Sequence, residues 1–464
     1  MNLHELTVAQ AGPLIRTKEI GIVELTKAFL DRIEQLDPQM NAYATVTAER
    51  AMDDARLLAK ELAEGRDRGP LHGIPIALKD IYDTADIPTH CGSNLFASKA
   101  RTPATDSVAA SRLRSAGTVL LGKLTTHEFA LGGPSFDLPT PLARNPWALE
   151  HFTGGSSSGS GAAMAAGTAM ATLGSDTAGS IRMPAYFCGI HGLKPTYGRV
   201  SRRGVAPLAQ TLDHCGPMTR TARDAAIMMQ AIAGHDPDDP GSADVDVGDY
   251  RAHLGQGLSG KRIGLITGFY DARFSPDASL LAAMAASVKV FTDLGAVVEE
   301  VDLPPLEDFH ACCMVIMLTE ALANHADTLR ETPHLYGEIF RERLTMAAMF
   351  SGIDYVQAVR RRAQLAASVE KLLGEFDLLM TAGGFGPAPR LDEIGTFGLF
   401  ERPLITSPFN LSGHPATGVC GGFSPSGLPL GFQLIGKYFG EAQLLGAADA
   451  FEQATSFNLV RPVL

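Results

Sequence analysis

The chain reads as an α/β protein with one central sheet covered by helices on both faces. Two observations predict this. Short apolar runs (IPIAL at 74–78, TVLL at 118–121, RIGLI at 262–266, DLLM at 377–380, LGFQL at 430–434) alternate with stretches of three- and four-residue apolar spacing. No low-complexity linker or internal repeat divides the 464 residues, although that length alone allows two or three domains.

The first 65 residues read as helices. Ile22, Leu25, Phe29, Ile33 and Leu36 recur at helical spacing, and a further helix over 47–64 stops at Gly65, a plausible left-handed C-terminal residue. The five apolar runs then supply strands. The eight residues ACCMVIML (311–318) are too short to span a bilayer and read as a buried helix segment, in which Cys312 and Cys313 pack as small apolar groups. The stretch HDPDDPGSADVDVGD (235–249) holds six Asp without EF-hand spacing, so a solvated surface loop is expected there.

Composition excludes several classes. Lys plus Arg number 39 against 51 Asp plus Glu, a net charge of −12 that disfavours binding to nucleic-acid phosphates. The N-terminal MNLHELTVAQ lacks the basic and apolar regions of a signal peptide, and none of the six Cys forms a C-x-x-C pair. A cytoplasmic location, no membrane contact and no nucleic-acid partner are the expectations. The 13 His include no metal-spaced pair with a third ligand nearby, so neither metal nor cofactor is expected.

Two motifs resemble chemistry they do not support. GTVLLGK (117–123) is followed by Leu124, where a phosphate-binding loop needs a hydroxyl for magnesium. GSSSG (155–159) fits the G-x-S-x-G elbow around Ser157, but the preceding EHFTG is not the required apolar strand. A conventional Ser-His-Asp hydrolase is therefore disfavoured.

The informative segment is TGGSSSGSGAAMAAGTAMATLGSDTAGSIR (153–182). Small residues let backbones approach closely, and glycines allow positive φ. Two serine-rich turns, 154–160 and 175–180, flank a helix-like stretch over 162–173, which can bring Ser156 and Ser180 together. A serine nucleophile needs a base. Lys79, closing the strand before Asp80, can serve if burial lowers its pKa; read from that fragment alone, a lysine reaching out of a strand end is the simpler account.

An ordered series of motifs resembles the amidase signature family. It comprises GIPIALKD (73–80), CGS (91–93), GKLTTHEFALG (122–132), NPW (145–147) and GGSSSGSGAA (154–163). It continues with GSDTAGSIRMPA (174–185), GLKPTYGRVSRRGV (192–205), LDHCGPMTRTARDAA (212–226) and NLSGHPA (410–416). The resemblance implies a single large domain over 1–464 with a mixed, twisted sheet. Within it, 1–65 would supply N-terminal helices, 66–230 the signature core, and 231–464 the pocket helices and remaining strands. It also implies an amidohydrolase with Lys79 as base, Ser156 as bridge and Ser180 as nucleophile, the two serines 24 residues apart. The peptide bond before the bridging serine, Gly155–Ser156, is expected to be cis. The oxyanion hole would be the backbone N–H groups of Thr177, Ala178, Gly179 and Ser180. Ser157 would orient the relay and Asp176 would brace the nucleophile loop. Arg182 would either form a structural ion pair or meet a substrate carboxylate.

Within that family a small-molecule amide substrate is expected, aryl or alkyl, with esters and carbamates as side substrates. Pocket walls are expected at 131–139, 312–350 and 383–400, drawing on Met314, Met317, Leu318, Leu344, Met346, Met349, Phe350, Phe385, Phe397 and Phe400. Two alternatives stay open. One is the glutaminase (A) subunit of a tRNA-dependent amidotransferase, although the position of that subunit's glutamine-binding Asp is Pro403 here, with Glu401 two residues early. The other is a catalytically silent binding or scaffold subunit. Family members are often dimers, so a homodimer is a possible assembly.

Overall fold

The computed structural model describes residues 2–96, 101–138 and 140–464. Its strands are β1 (Tyr43–Val46), β2 (Pro75–Lys79), β3 (Val119–Leu124), β4 (Ala171–Asp176), β5 (His191–Lys194) and β6 (His214–Thr219). They continue with β7 (Arg262–Leu265), β8 (Val297–Glu300), β9 (Leu378–Ala382), β10 (Ala416–Phe423) and β11 (Pro429–Ile435). All eleven join one sheet in the order β1-β3-β2-β4-β6-β5-β10-β11-β9-β7-β8. β2 runs parallel to β3 and β4, and β7 parallel to β8 and β9, while the remaining pairings are antiparallel. The fold is a single α/β domain with a mixed sheet between helical layers, as the sequence predicts.

The five predicted strands are present, shifted by one to three residues at their ends. Six more were not legible. Central strands are buried on both faces and usually read as apolar runs. β4 (ATLGSD), β5 (HGLK) and β6 (HCGPMT) are buried throughout without such a run, because small and polar residues fill their places. β8 is mostly exposed at the sheet edge and carries charges instead.

The helix expected over 162–173 is displaced. It spans Ser158–Ala166, every residue buried, and ends where Gly167 adopts φ 70°. The chain then enters β4, so residues 171–173 lie in the sheet. The acidic stretch 235–249 contains no helix or strand, but it is not wholly solvated. Asp236 and Asp239 are buried and hold Arg203 and Arg202 at 2.9 and 2.7 Å. The 311–318 segment lies in helix Leu306–Glu331 with Cys312 and Cys313 buried, as expected. Among the described residues, no helix is long and apolar enough to cross a membrane.

Candidate active site

β2 and β4 are parallel neighbours, and both end at the same edge of the sheet. Their C-terminal residues, Lys79 and Asp176, are therefore brought close to one place, beside the serine-rich turn before helix Ser158–Ala166. Lys79 is fully buried; its Nζ donates to Ser156 Oγ at 2.6 Å and to Ser175 Oγ at 2.9 Å. The Ser156 backbone N–H donates to Ser180 Oγ at 2.9 Å. The structure thus gathers the three residues that the motif series singles out.

Complete burial lowers the Lys79 pKa to about 7, despite the opposing carboxylates of Asp213 and Asp176. A lysine tuned this way is an available proton acceptor near neutrality, which an exposed lysine is not. Histidines do not compete for that place: among the described residues, none lines the cavity that holds Ser180. Burial lowers the nearby His127 to about 3, and its neutral ring accepts the Gly133 N–H at 2.9 Å.

Two expectations about the relay require correction. Among the described residues no peptide bond is cis, so Gly155–Ser156 is trans. Trans is the ordinary state of a non-proline bond. In it, Ser156 reaches Lys79 through its hydroxyl and Ser180 through its N–H, and no hydrogen bond joins the two serine hydroxyls directly.

The turn from β4 into helix Arg182–Cys188 shapes the other half of the site. Among the described residues, the N–H groups of Thr177, Ala178, Gly179 and Ser180 make no hydrogen bond within the chain. Thr177, Ala178 and Ser180 line the cavity. The turn is held from several sides: Thr177 Oγ1 donates to Asp213 Oδ1 at 2.6 Å, and Thr406 Oγ1 donates to the Ala178 carbonyl at 2.5 Å. Asp176 Oδ2 accepts the N–H groups of Ile181 and Arg182 at 3.1 and 3.3 Å.

Two glycines are required by this geometry. A Cβ on Gly155 would stand 2.6 Å from Ser180 Cα, so only glycine lets the two serine turns meet. Gly179 adopts φ 135°, and its Cβ would fall 2.2 Å from Thr406 Oγ1. Gly179→Ala is expected to lower kcat by at least about 100-fold, the scale of losing an oxyanion donor, with secondary structure retained by circular dichroism.

Ser157 exchanges two 3.2 Å hydrogen bonds with the backbone of Ser175, so its hydroxyl fixes β4 rather than touching Lys79. Arg182 is not among the described residues that line the cavity holding Ser180. It is 1% exposed, bridges Asp176 at 3.0 Å, and donates to Gln433 Oε1 and Asn410 Oδ1 at 2.7 and 2.5 Å. Every guanidinium nitrogen is thereby engaged inside the fold, the arrangement of the ion-pair alternative.

Ser180 opens onto a cavity of about 350 Å³. Its apolar wall includes Phe152, Met183, Phe187, Met317 and Leu404. Of the ten pocket residues expected from sequence, only Met317 lines it. Leu318 and Leu344 are fully buried in the core, Met314 nearly so, while Met349 points to solvent at 82% exposure. Phe385 lines an adjoining cavity that shares Met183, Phe187 and Arg402 with the first. The expected wall 131–139 contributes Gly132 and Gly133, and Pro139 lies outside the described residues.

Sequence reasoning missed several residues here. Asp213 and Asn410 stand inside recognised motifs, and that was their only signal. Ser175 likewise stands inside a recognised motif, GSDTAGSIRMPA, and in the serine-rich turn. Arg343, from helix Glu338–Ala347, was missed altogether. It lines the cavity at 1% exposure, donates Nε to the Thr396 carbonyl at 2.6 Å and Nη1 to the Gly132 carbonyl. Among the described residues no carboxylate lies within 4.0 Å of it. Burial lowers its pKa to about 10, which still leaves it cationic at neutral pH.

A family model described as Amidase matches residues 24–445. The chain is 39% identical to the glutamyl-tRNA(Gln) amidotransferase (A) subunit of a Geobacter species (strain M21), covering all of both chains. It superposes on native peptide amidase from Stenotrophomonas maltophilia with TM-score 0.85 and 30% identity, covering 97% of each. A bacterial aryl acylamidase of the amidase signature family gives TM-score 0.88 and 27% identity over the full length of both. With its motif series, its single mixed sheet and a match over nearly its whole length, the chain belongs to the amidase signature family and is an amidohydrolase.

Proposed function

We propose that the protein cleaves a carboxylic amide C–N bond through a Ser180 acyl-enzyme. The observation that carries this reading is the buried contact from Lys79 Nζ to Ser156 Oγ at 2.6 Å, with Ser156 N–H on Ser180 Oγ at 2.9 Å. Neutral Lys79 takes the Ser156 hydroxyl proton as that hydroxyl turns to accept one from Ser180. Ser180 Oγ attacks the carbonyl carbon, and the unengaged N–H groups of 177–180 receive the developing oxyanion. The C–N bond breaks as Ser156 returns a proton to the nitrogen, and water then releases the acid by the same route. Asp176 and Arg182 brace the turn, and Ser157 fixes β4. A silent binding subunit would have no use for a desolvated lysine held on a bridging serine.

The apolar wall suits an alkyl or aryl acyl group, with esters and carbamates following because their leaving groups depart more easily. Arg343 adds that a substrate with an anionic far end binds more tightly than a neutral one. The test is a hydrolysis panel containing 4-nitroacetanilide and glutaryl 4-nitroanilide, with Ser180→Ala as the blank. Arg343→Met is expected to raise KM for the glutaryl anilide about tenfold or more relative to the acetanilide, the scale of one charge-assisted hydrogen bond. An unchanged KM ratio would remove the anionic preference.

One observation favours a second reading, a glutaminase subunit. Glu401 and Arg343 both line the cavity, as do Glu393 and Arg402, so groups of both signs are offered to an α-amino acid. Ammonia release from free glutamine, together with co-purification of a partner subunit, would establish that reading over a free-standing amidase.

A further inference from the structure

The cavity wall opposite the nucleophile turn is an unusual piece of backbone. Phe129 and Ala130 adopt φ 45° and 64°, a left-handed conformation that non-glycine residues rarely take. These two residues sit between Glu128 and the Gly132–Gly133 pair that lines the cavity. Glu128 is itself buried, and both its oxygens are engaged. Oε1 accepts the Ser93 hydroxyl at 2.5 Å, and Oε2 accepts the Gly337 N–H at 2.9 Å. Gly337 is the residue that opens helix Glu338–Ala347, and that helix carries Arg343. Arg343 returns to the same wall by donating Nη1 to the Gly132 carbonyl.

The wall and the helix are therefore tied at two points, Glu128 to Gly337 and Gly132 to Arg343. The two ties lie four positions apart on one side and six on the other. Between them the Phe129 ring packs against His325 and Phe340, with centroids 4.3 and 5.4 Å apart. The loop is closed, so releasing one tie lets the other shift.

Resting on the reading of the Ser180 cavity as the amide-binding site, we propose that Glu128 is a positioning residue for substrate specificity: its tie to Gly337 sets where the Arg343 guanidinium and the Gly132–Gly133 backbone stand in that cavity. Glu128 touches no substrate. It acts through the helix that carries the cation.

Hydrogen-bonding capacity separates this role from a purely electrostatic one. A glutamine at 128 can accept the Gly337 N–H through its oxygen and donate its NH₂ to Ser93, whose hydroxyl also accepts. Glu128→Gln therefore keeps both ties, whereas Glu128→Ala loses both. The experiment measures kcat and KM on glutaryl 4-nitroanilide and 4-nitroacetanilide for both variants, alone and combined with Arg343→Met.

Glu128→Ala is expected to raise KM for the glutaryl anilide about tenfold, with a smaller change in kcat and in the acetanilide KM. Glu128→Gln is expected to recover most of that loss, and Glu128→Ala is expected to add almost nothing in the Arg343→Met background. Equal impairment of the Gln and Ala variants, or a full Glu128→Ala effect without Arg343, overturns the proposal. Should Glu128→Ala not fold, Gly337→Pro removes the same tie from the other side. Gly337 has φ −63° and Tyr336 is extended at φ −90°, ψ 143°, as proline and its predecessor require. A KM ratio unmoved by Gly337→Pro equally overturns it. Anilide hydrolysis by Ser180→Ala would defeat the reading of the cavity itself; an inactive Ser180→Ala with additive Glu128 and Arg343 effects defeats only this proposal.

Discussion

Ser180→Ala is expected to abolish amide hydrolysis, with a loss of about 10⁴-fold or more in kcat, the scale of removing a hydrolase nucleophile. Lys79→Ala follows closely, because Ser156 then has no acceptor for its proton. The two variants differ in what they leave behind. Ser180→Ala keeps Lys79 on Ser156 and Ser175, so it should fold and bind substrate normally. Lys79→Ala leaves a cavity in the fully buried strand β2 and also removes a donor from two serine hydroxyls. Full activity in either variant would defeat the mechanism.

The pH profile gives an independent check, and its direction is set by burial. Lys79 must be neutral to act, and burial lowers its pKa to about 7. The kcat/KM of the wild type should therefore rise with pH through about 7 and reach a plateau above it. A lysine with its ordinary pKa near 10.4 would place that rise about three units higher. A serine-directed fluorophosphonate should label Ser180 with the same dependence.

The second large effect concerns stability. Arg182→Met removes one member of a fully buried ion pair and leaves Asp176 charged without its partner. Breaking such a pair typically costs about 3–5 kcal/mol, measured as a lowered denaturant midpoint. Activity should fall as well, since Asp176 also holds the N–H groups of Ile181 and Arg182 next to Ser180. The sign of the pH dependence follows from Asp176. Burial alone would raise its pKa, but the Arg182 guanidinium outweighs that and holds it well below the ordinary carboxylate value. The pair's contribution is then complete above the unfolded value near 3.9 and is lost as pH falls below it. The gap between wild type and Arg182→Met should narrow in acid. A gap that stays constant down to about pH 2 would mean the pair contributes nothing.

The expected strands that proved correct were those whose side chains are apolar on both faces, such as β2 and β9. The core strand β4 escaped because its sequence, ATLGSD, serves two demands at once. It must be small enough for the buried helix Ser158–Ala166 to pack on it, and it must end in the Ser175 and Asp176 that hold Lys79 and the nucleophile turn. Local pattern cannot separate those demands from the composition of a loop.

The catalytic candidates were legible for the opposite reason. A serine–glycine block of this density has few structural uses, and its order with the other motifs identifies Lys79, Ser156 and Ser180 before any fold is known. The sequence alone thus determined the fold class, the family and these candidate residues, because each depends on residue type in a local context. Tertiary structure decided which groups line the cavity. Arg182, two residues from the nucleophile, is locked inward by Asp176, Asn410 and Gln433. Arg343, 163 residues from Ser180 along the chain, reaches the cavity through a separate helix. The difference is where each guanidinium finds a partner: Arg182 stands beside a buried carboxylate and is satisfied within the fold, whereas Arg343 is held by the backbone carbonyls of Thr396 and Gly132. Asp176 lies only six residues from Arg182, but Asn410, Gln433 and the Gly132 carbonyl that Arg343 meets come from distant parts of the chain, and that long-range packing is not encoded in any local stretch of sequence.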